Sequence, residues 1–386
     1  MSMPFGKHRG TLLVTAALLA TSACGGNSAV PSSVSGASNP ALQLAQSGAN
    51  MVAPADTTSI LKLLKKDVVI GSTVDPKNGD TGPRAISIVP TKFVLQKGQL
   101  LVCNFDDKSG TVGAGTTIEV LDPKAGSKPA QFVASSKIEG CDGDAITSGN
   151  QVYATGLTSK LMTFIDQSGK VKKTYGSPIE TPLADGEAES PGLYPDQFIF
   201  TGDAETGSIV SLIRSPSGAP RILEVVTGFA VNKKSGWSTL GPSGLSYIGG
   251  KRDTLYIVDG ANNTIVAISH ASTLFVKDEI VVQPGGKTFK CKFPKTTCGT
   301  LLYGGAPLNG PVASTLLPNG NLIVANTVGG NKLVEISAAG KLLATKTIDF
   351  STIPHVFGLR AVGTGDKNTT LYFTDTKDNS LHELQQ

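Results

Sequence analysis

The chain has 386 residues, 17% of them charged, a formal net charge of +4, and abundant glycine (45) and proline (22). This composition excludes a long-helix or coiled-coil protein and is typical of a β protein with many turns. Residues 1–23 hold two basic residues and no acidic one, so 32 basic residues face 30 acidic ones in the rest of the chain. A nearly neutral chain without a basic run is not expected to bind nucleic acid.

The N-terminus is organised like an export signal. Lys7 and Arg9 precede an uncharged run, Thr11–Ala20, which is too short to span a bilayer as a helix. Small residues and then Cys24 follow this run, and the pattern resembles the cleavage site of bacterial lipoproteins, in which the cysteine is lipidated. We therefore predict a lipoprotein signal peptide over residues 1–23. An ordinary secretory signal, with an unmodified Cys24, is the alternative.

Residues 24–58 are predicted to form a flexible tether that starts at a lipidated Cys24. No charged residue occurs between Gly25 and Ala55, and small and polar residues dominate, so this segment cannot bury a core. Gly25 follows the cysteine, which favours the outer membrane by resemblance to sorted lipoproteins. The sequence thus predicts an exported lipoprotein, anchored in the cell envelope on the periplasmic or surface side.

Four further cysteines are expected to form two disulfides, because an even number in an exported chain is typical of disulfide bonding. Cys291 and Cys298 enclose a short segment with a turn-forming proline, KFPKTT, which favours a local bridge and leaves Cys103 to pair with Cys141. A zinc site is the alternative and would need closely spaced Cys or His partners. The histidines outside the signal lie far apart, at His270, His355 and His382.

One unit recurs through the chain. Each copy is a short run of apolar and β-branched residues that ends in Asp, Asn, Thr or Gly and is followed by a second β run. The copies, whose ends are 47 to 67 residues apart, are GQLLVCN (98–104), NQVYAT (150–155), DQFIFTG (196–202), DTLYIVD (253–259), GNLIVAN (320–326) and TTLYFTD (369–375). Six units of this size predict an all-β fold, a six-bladed β-propeller with four-stranded blades.

The clearest copies have recognisable flanks. The runs GPSGLSY and DTLYIVDGANNTIVAIS in the fourth copy, and NGPVAST and LPNGNLIVANTVGGNKLVEIS in the fifth, resemble NHL-repeat and SMP-30/gluconolactonase-type β-propellers. The resemblance covers about residues 85–386. It implies the architecture but no particular function, because propellers host many chemistries.

The propeller is predicted to span residues 59–386. Its sixth copy ends after a third strand, and an open ring would leave unpaired strand edges. The segment Leu61–Ser72 is therefore predicted to supply the missing outer strand and to close the ring. In the fourth blade, Leu274–Val282 is predicted as the outer strand, followed by an insertion at about residues 283–307.

The strand order predicts where the loops gather. The strands of each blade are lettered A to D outward from the axis. The D–A connections, which join successive blades, and the B–C connections then lie on the same face. Both disulfides, the insertion and His355 are expected there, and this face is predicted to bind a protein or a small-molecule ligand. The alternative is that long loops on this face only tolerate insertions.

The resemblance also implies a metal site to be tested. SMP-30-like enzymes hold a divalent metal at the channel mouth with Glu, Asn and Asp side chains. Asn309 precedes Gly310 as in the Asn-Gly of that family, but no glutamate stands at the start of the first blade. The acidic candidates near strands of earlier copies are Asp142, Asp144 and Asp196.

A turn-capping role is the simpler interpretation of such residues, since Asn and Asp side chains bond to nearby backbone groups. It applies also to the recurring positions Asp259, Asn326 and Asp375. We therefore predict a monomeric, membrane-tethered binding or scaffolding propeller without a cofactor. A metal-dependent hydrolase or lactonase, with calcium or zinc, is the alternative. The candidate ligand-binding residues are Asn309, Asp144, Asp196 and His355.

Overall fold

The computed structural model describes residues 58–176, 188–190, 198–214, 220–233 and 239–386. The predicted signal peptide, Cys24, most of the tether and Asp196 lie outside the described residues. The described strands form six separate sheets of four or more strands, which confirms the six-bladed propeller.

The strands follow one another in chain order, each blade being built from the axis outward. The closing strand comes first, as β1 (Lys66–Ser72). The first blade contains β2 (Thr81–Ile88), β3 (Leu100–Asp106), β4 (Thr117–Leu121) and β5 (Ala130–Ala134). The second contains β6 (Cys141–Ile146), β7 (Val152–Gly156), β8 (Leu161–Ile165) and β9 (Val171–Tyr175). The third contains β10 (Ala188–Ser190), β11 (Phe198–Asp203), β12 (Ser208–Ile213) and β13 (Arg221–Thr227).

The remaining blades use the second half of the chain. The fourth starts with β14 (Pro242–Ile248), β15 (Thr254–Asp259) and β16 (Thr264–Ser269), before an excursion through β17 (Ile280–Val282) and β18 (Phe289–Cys291) and a return as β19 (Gly299–Gly304). The fifth contains β20 (Pro311–Leu316), β21 (Leu322–Asn326), β22 (Asn331–Ile336) and β23 (Leu342–Asp349). The sixth contains β24 (Val356–Val362), β25 (Thr370–Asp375) and β26 (Ser380–Gln385). Short 3-10 helices lie in three described connections, at Ser136–Ile138, Ala271–Thr273 and Asp366–Asn368.

The six repeated runs of the sequence are the second strands of the blades, and burial on both sides explains their composition. In β3, Leu101 and Cys103 pack in the cluster shared with the second blade, whereas Leu100 and Val102 pack in the cluster shared with the sixth. Because side chains alternate across a strand, a strand between two other blades must be apolar on both sides. Such strands give the continuous apolar runs that mark the repeat.

The ring closes as predicted, through the N-terminal strand. β1 pairs antiparallel with β26, from Lys66 opposite Gln385 to Ser72 opposite Ser380. The residues before β1 add to this closure, because Ile60, Leu61 and Leu64 are buried in a cluster with residues of the fifth and sixth blades. The N-terminal segment therefore stabilises two blades at once.

The outer edge of the fourth blade differs from the prediction. Its outer strand is β19, which pairs with β16, and not Leu274–Val282. The end of that segment forms β17, which instead pairs parallel with β13 at the edge of the third blade and continues into β18. Residues 275–298 thus form a C–D connection that extends the neighbouring blade. The apolar pattern identified a strand, but pattern alone does not specify which edge it joins.

The two faces of the propeller are defined by these connections. We call the face with the D–A and B–C connections the first face and the opposite face the second face. Cys103 and Cys141 form a disulfide, with Cα atoms 5.3 Å apart, on the first-face side of blades one and two. Cys291 and Cys298 form the other, with Cα atoms 5.5 Å apart. Both pairings are confirmed, but the second bridge lies in a C–D connection and not on the first face as predicted.

The two disulfides also indicate the kind of cellular compartment in which the protein resides. Two disulfides are typical of a protein in an oxidising, extracytoplasmic environment. Among the residues that the structure describes, no helix has the length and apolar character needed to cross a membrane.

Candidate functional site

Inner strands of three successive blades carry four charged side chains near the axis, with Arg84 beside Asp142 and the charge of Arg360 acting on Asp144. Arg84 comes from β2, Asp142 and Asp144 from β6, and Arg360 from β24. We call these residues the charge cluster. Arg84 is 7% exposed, and Asp142 and Asp144 are 1% and 0% exposed. Ionisable groups at such depth are rare unless they are paired, so the cluster is a candidate functional site.

Arg84 is held mainly by aromatic rings. Its guanidinium carbon lies 3.8 Å from the ring centre of Phe105 and 4.3 Å from that of Phe357, which are cation–π distances. Its Nη1 is 3.5 Å from Oδ1 of Asp142, longer than an ordinary hydrogen bond, and no described group accepts a hydrogen bond from Nη1. The rings orient the guanidinium while leaving donor capacity unused.

The backbone beneath Arg84 is fixed by the sixth blade. The hydroxyl of Thr374 donates to the carbonyl of Arg84 at 3.0 Å and accepts from the amide of Gly358 at 2.7 Å. A Cβ atom on Gly358 would collide with the same carbonyl oxygen. Glycine is therefore needed there for β2 and β24 to approach closely, and this contact places Phe357 against Arg84.

Asp142 and Asp144, the two acids of the cluster, have pKa values close to neutral pH. Burial raises the pKa of Asp142 to about 7, opposed by the charge of Arg84. Burial raises the pKa of Asp144 to about 6, opposed by Arg360. Burial also raises the pKa of the neighbouring Asp106, with Arg84 again opposing. Carboxyl groups that titrate in this range can accept or donate a proton at physiological pH.

The acid side chains also have unused hydrogen-bonding capacity. Neither side-chain oxygen of Asp144, nor Oδ2 of Asp142, has a hydrogen-bond partner among the described residues. Buried polar atoms are nearly always paired in folded proteins, so an unpaired set deserves an explanation such as a ligand. The arrangement suits a bound molecule that offers an anionic group to Arg84 and hydroxyl groups to the acids.

The other sequence candidates lie elsewhere. Asn309 is exposed on the first face, where its side chain donates to the carbonyl of Val328 at 2.9 Å. His355 is buried, with Nε2 2.8 Å from Asp349 and Nδ1 3.0 Å from Asp375. Its pKa is raised, because the hydrogen bonds and charges of Asp375 and Asp349 outweigh the lowering by burial. Both side chains have partners that tie connections of the blades together.

Two of the three recurring positions, Asp259 and Asp375, serve as turn caps, as the simpler interpretation predicts. Oδ1 of Asp259 accepts from the amides of Ala261 and Asn262. Oδ1 of Asp375 accepts from the amide of Lys377. Asn326 instead binds the D–A connection, donating to the carbonyl of Pro307 and accepting from the amide of Asn309. Their repetition reflects the geometry of the blades.

The divalent metal implied by the resemblance does not fit the charge cluster. A hard cation needs several oxygen ligands that point to one place. Here the guanidinium of Arg84 lies beside Asp142, Arg360 opposes the charge of Asp144, and Asn309 is tied to a loop carbonyl. Positive side chains stand where a cation would have to be stabilised by these acids.

Sequence reasoning identified Asp142 and Asp144 but missed Arg84, Arg360 and their aromatic neighbours. β2 has the sequence TGPRAISI, with a single charge in a buried strand pattern. A lone arginine in an apolar inner strand is a usable signal, because burial of arginine requires partners. The partners themselves come from distant parts of the chain and leave no local pattern.

No protein-family model matches the chain, and no curated protein matches it. A gluconolactonase from Xanthomonas campestris is similar in structure, with a TM-score of 0.53 and 12% identity, over 83% of this chain and 89% of that one. Another protein named gluconolactonase gives a TM-score of 0.51 and 10% identity, over 84% and 94% of the two chains. Virginiamycin B lyase from Staphylococcus aureus gives 0.48 and 18%, over 83% and 88%. At these identities the likeness concerns the fold, and the chain has an SMP-30/gluconolactonase-like six-bladed β-propeller fold.

Proposed function

We propose that the protein is an extracytoplasmic binding propeller whose charge cluster recognises a small hydroxylated organic anion. The observation that carries this proposal is Arg84, which is oriented between Phe105 and Phe357 yet has an unused donor on Nη1. The planar guanidinium matches a carboxylate or phosphate through paired hydrogen bonds. The aromatic contacts hold it in place before the ligand arrives, which reduces the entropy cost of binding.

The acids supply the second half of the recognition. Asp142 and Asp144 have oxygens without hydrogen-bond partners and can accept hydrogen bonds from ligand hydroxyl groups. Because their pKa values are about 7 and about 6, ionisation adds negative charge to the cluster as the pH rises through this range. We expect the affinity for an anion to fall between about pH 6 and pH 8.

Binding is tested by calorimetry on the purified protein with lactate, gluconate and inorganic phosphate. Arg84→Met keeps an unbranched apolar side chain between the rings but removes the guanidinium group. It should weaken binding at least tenfold. The matched control is Arg252→Met, since Arg252 lies in a second-face connection. Equal affinity in the Arg84 variant, or no binding of any probe to the wild type, would overturn the proposal.

The membrane anchor is part of the same proposal. Export is supported by the two disulfides, and Cys24 carries the lipoprotein pattern of the sequence. Cys24→Ser should release the protein from membranes into the soluble fraction, because the thiol that takes the lipid is removed. A variant that still partitions with membranes would contradict lipid anchoring at this residue.

A metal-dependent lactone hydrolase is the second candidate, supported by the fold shared with gluconolactonases, with any metal held outside the charge cluster. The test is titration of the acid released from gluconolactone, with calcium or zinc added. A metal-dependent rate that Asn309→Ala abolishes would favour the hydrolase. A rate no faster than the buffer, with wild type and variant alike, would remove it.

A further inference from the structure

A second cluster of ionisable side chains lies at the closure of the ring, away from the charge cluster. Asp375 ends β25, Asp378 lies in the turn that follows, and His382 lies in β26. One ligand atom from each of these residues lies within 4.8 Å of the others. We call these three residues the closure triad. They are the first, fourth and eighth residues of the segment DTKDNSLH.

The Nε2 atom of His382 points into the triad but makes no hydrogen bond with a described residue. His382 is 8% exposed, and its Nε2 has no hydrogen-bond partner among the described residues. Oδ2 of Asp378 lies 3.5 Å from this nitrogen, which is long for a hydrogen bond. Two ligands of a tetrahedral zinc ion, each at about 2.1 Å from the metal, are about 3.4 Å apart. The separation therefore suits a shared metal better than a direct contact.

The other ring nitrogen is already fixed. Nδ1 of His382 is 3.0 Å from Oδ1 of Asp67, on the closing strand β1. A carboxylate bonded to one ring nitrogen orients the imidazole and favours the tautomer with a lone pair on the other nitrogen, as in carboxylate–histidine–zinc arrangements. The ring also stacks on Phe373, with centroids 4.7 Å apart. His382 is thus held in place as a ligand, by contacts outside the triad.

The acids are held in a similar way. Oδ1 of Asp375 accepts from the amide of Lys377 and is 3.0 Å from Nδ1 of His355, so its second oxygen can face the triad. The hydroxyl of Ser380 donates to Oδ1 of Asp378, which leaves Oδ2 toward His382. The side chain of Asp378 is 53% exposed, so solvent ions reach the triad from its side.

We propose that the closure triad binds a divalent transition-metal ion, with zinc as the best match. One imidazole and two carboxylates are ligands that zinc accepts, and a water would complete four-coordination. Calcium prefers six or more oxygens, so the imidazole argues against it. A bound ion would link the turn after β25 to β26, and through Asp67 to β1, and so stabilise the closed ring.

The test uses the untagged full chain, stripped with a chelator and titrated with Zn²⁺ by calorimetry at pH 8. We expect one ion per chain and a higher Tm with zinc. Asp378→Asn changes an exposed side chain and should leave the fold intact but weaken binding at least tenfold. His382→Gln should weaken it as much, and Asp67→Asn should weaken it about 10-fold to 100-fold while retaining one site.

His270→Asn is the matched control, because His270 is an exposed histidine outside the triad. Unchanged binding in this control, together with loss in the Asp378 and His382 variants, would support the triad. The absence of one-to-one binding by the wild type would overturn the proposal. So would equal zinc affinity in the Asp378 variant, or loss of the site on changing His270.

Discussion

Two glutamates on the third strands of different blades are both completely buried, yet their surroundings are opposite. Glu335, on β22, receives four hydrogen bonds, from the hydroxyl of Ser59, the amides of Ile60 and Leu61, and the side chain of Asn321, at 2.6 to 3.2 Å. Glu119, on β4, interacts with the side chains of Asp75 and Thr117 and has no set of well-placed donors like that around Glu335. Burial and the neighbouring Asp75 raise its pKa to about 9.

The difference shows what makes a buried acid a structural anchor. Four donors offset the loss of hydration for Glu335 and tie the N-terminal segment to the fifth blade. Glu119 is accommodated within the first blade by keeping its proton, which it can donate to Asp75. Although burial raises the pKa of Asp75, bonds from Glu119 and from backbone amides lower it overall. One site surrounds a buried carboxyl group with donors, and the other keeps the carboxyl group protonated.

Removal of the whole N-terminal segment should have the largest effect. Deletion of residues 57–72 removes β1 and all the groups that this segment donates to Glu335, and it leaves β26 as an unpaired edge. We expect loss of cooperative unfolding, followed by circular dichroism during heating. A truncated protein with an unchanged melting curve would show that neither the strand nor the glutamate anchor matters.

Glu335→Ala should have the second-largest effect on stability. It leaves buried donors of Ser59, Ile60 and Leu61 without their acceptor, which should lower the free energy of unfolding by about 4 kcal/mol. Urea titration of the variant and the wild type measures this difference. A loss below about 1 kcal/mol would mean that water replaces the carboxylate, and the contrast with Glu119 would fail.

Glu119→Gln should raise the free energy of unfolding, whereas the preceding changes lower it. Folded Glu119 keeps its proton up to about pH 9, whereas the unfolded chain loses it above its ordinary value of 4.5. The folded state then binds more protons, so the stability of the wild type falls as the pH rises between these values. A neutral glutamine avoids this cost, and the variant should be more stable by about 3 kcal/mol at pH 7.

The measurement for Glu119 is urea unfolding of the wild type and the variant at pH 5, 7 and 9. The gap between them should be small at pH 5 and widen with pH. Glu139→Gln is the control, since Glu139 is only half-buried. A constant gap, or the same pH dependence in the control, would refute a proton held by Glu119.

Ser59→Ala should have the smallest effect of the series. It removes one of the four donors to Glu335, a hydroxyl at 2.6 Å from Oε2, and should cost about 1.5 kcal/mol. Denaturant titration again provides the value. If the Ser59 variant loses as much stability as Glu335→Ala, the anchor depends on this single hydroxyl and not on a set of donors.

Much of the fold was predictable because propeller blades are local. The six second strands, the closing strand and both disulfides were visible as apolar runs and cysteine spacing. The route of residues 275–298 was not, because β17 joins the third blade through parallel pairing with β13, which no local pattern encodes. The bond from Ser59 to Glu335 joins residues 276 positions apart and is likewise invisible to a scan for local motifs.

The site was predictable only in part. Asp142 and Asp144 stood out as acids near an inner strand, but their meaning depends on Arg84 and Arg360, which come from other blades. Asp375 was interpreted as a turn cap, and it is one. Its proximity to His382 depends on the pairing of β25 with β26. The charge and burial of these side chains depend on which blades meet, and no local sequence pattern encodes that contact.

The described part of the chain begins on the second face. The carbonyl of Thr58 accepts from Asn321, near the turn between β20 and β21, and this A–B connection lies on the second face. The disulfide of Cys103 and Cys141 lies on the opposite, first face. A bulky label attached at Thr58 should therefore leave Asn309, on the first face, accessible.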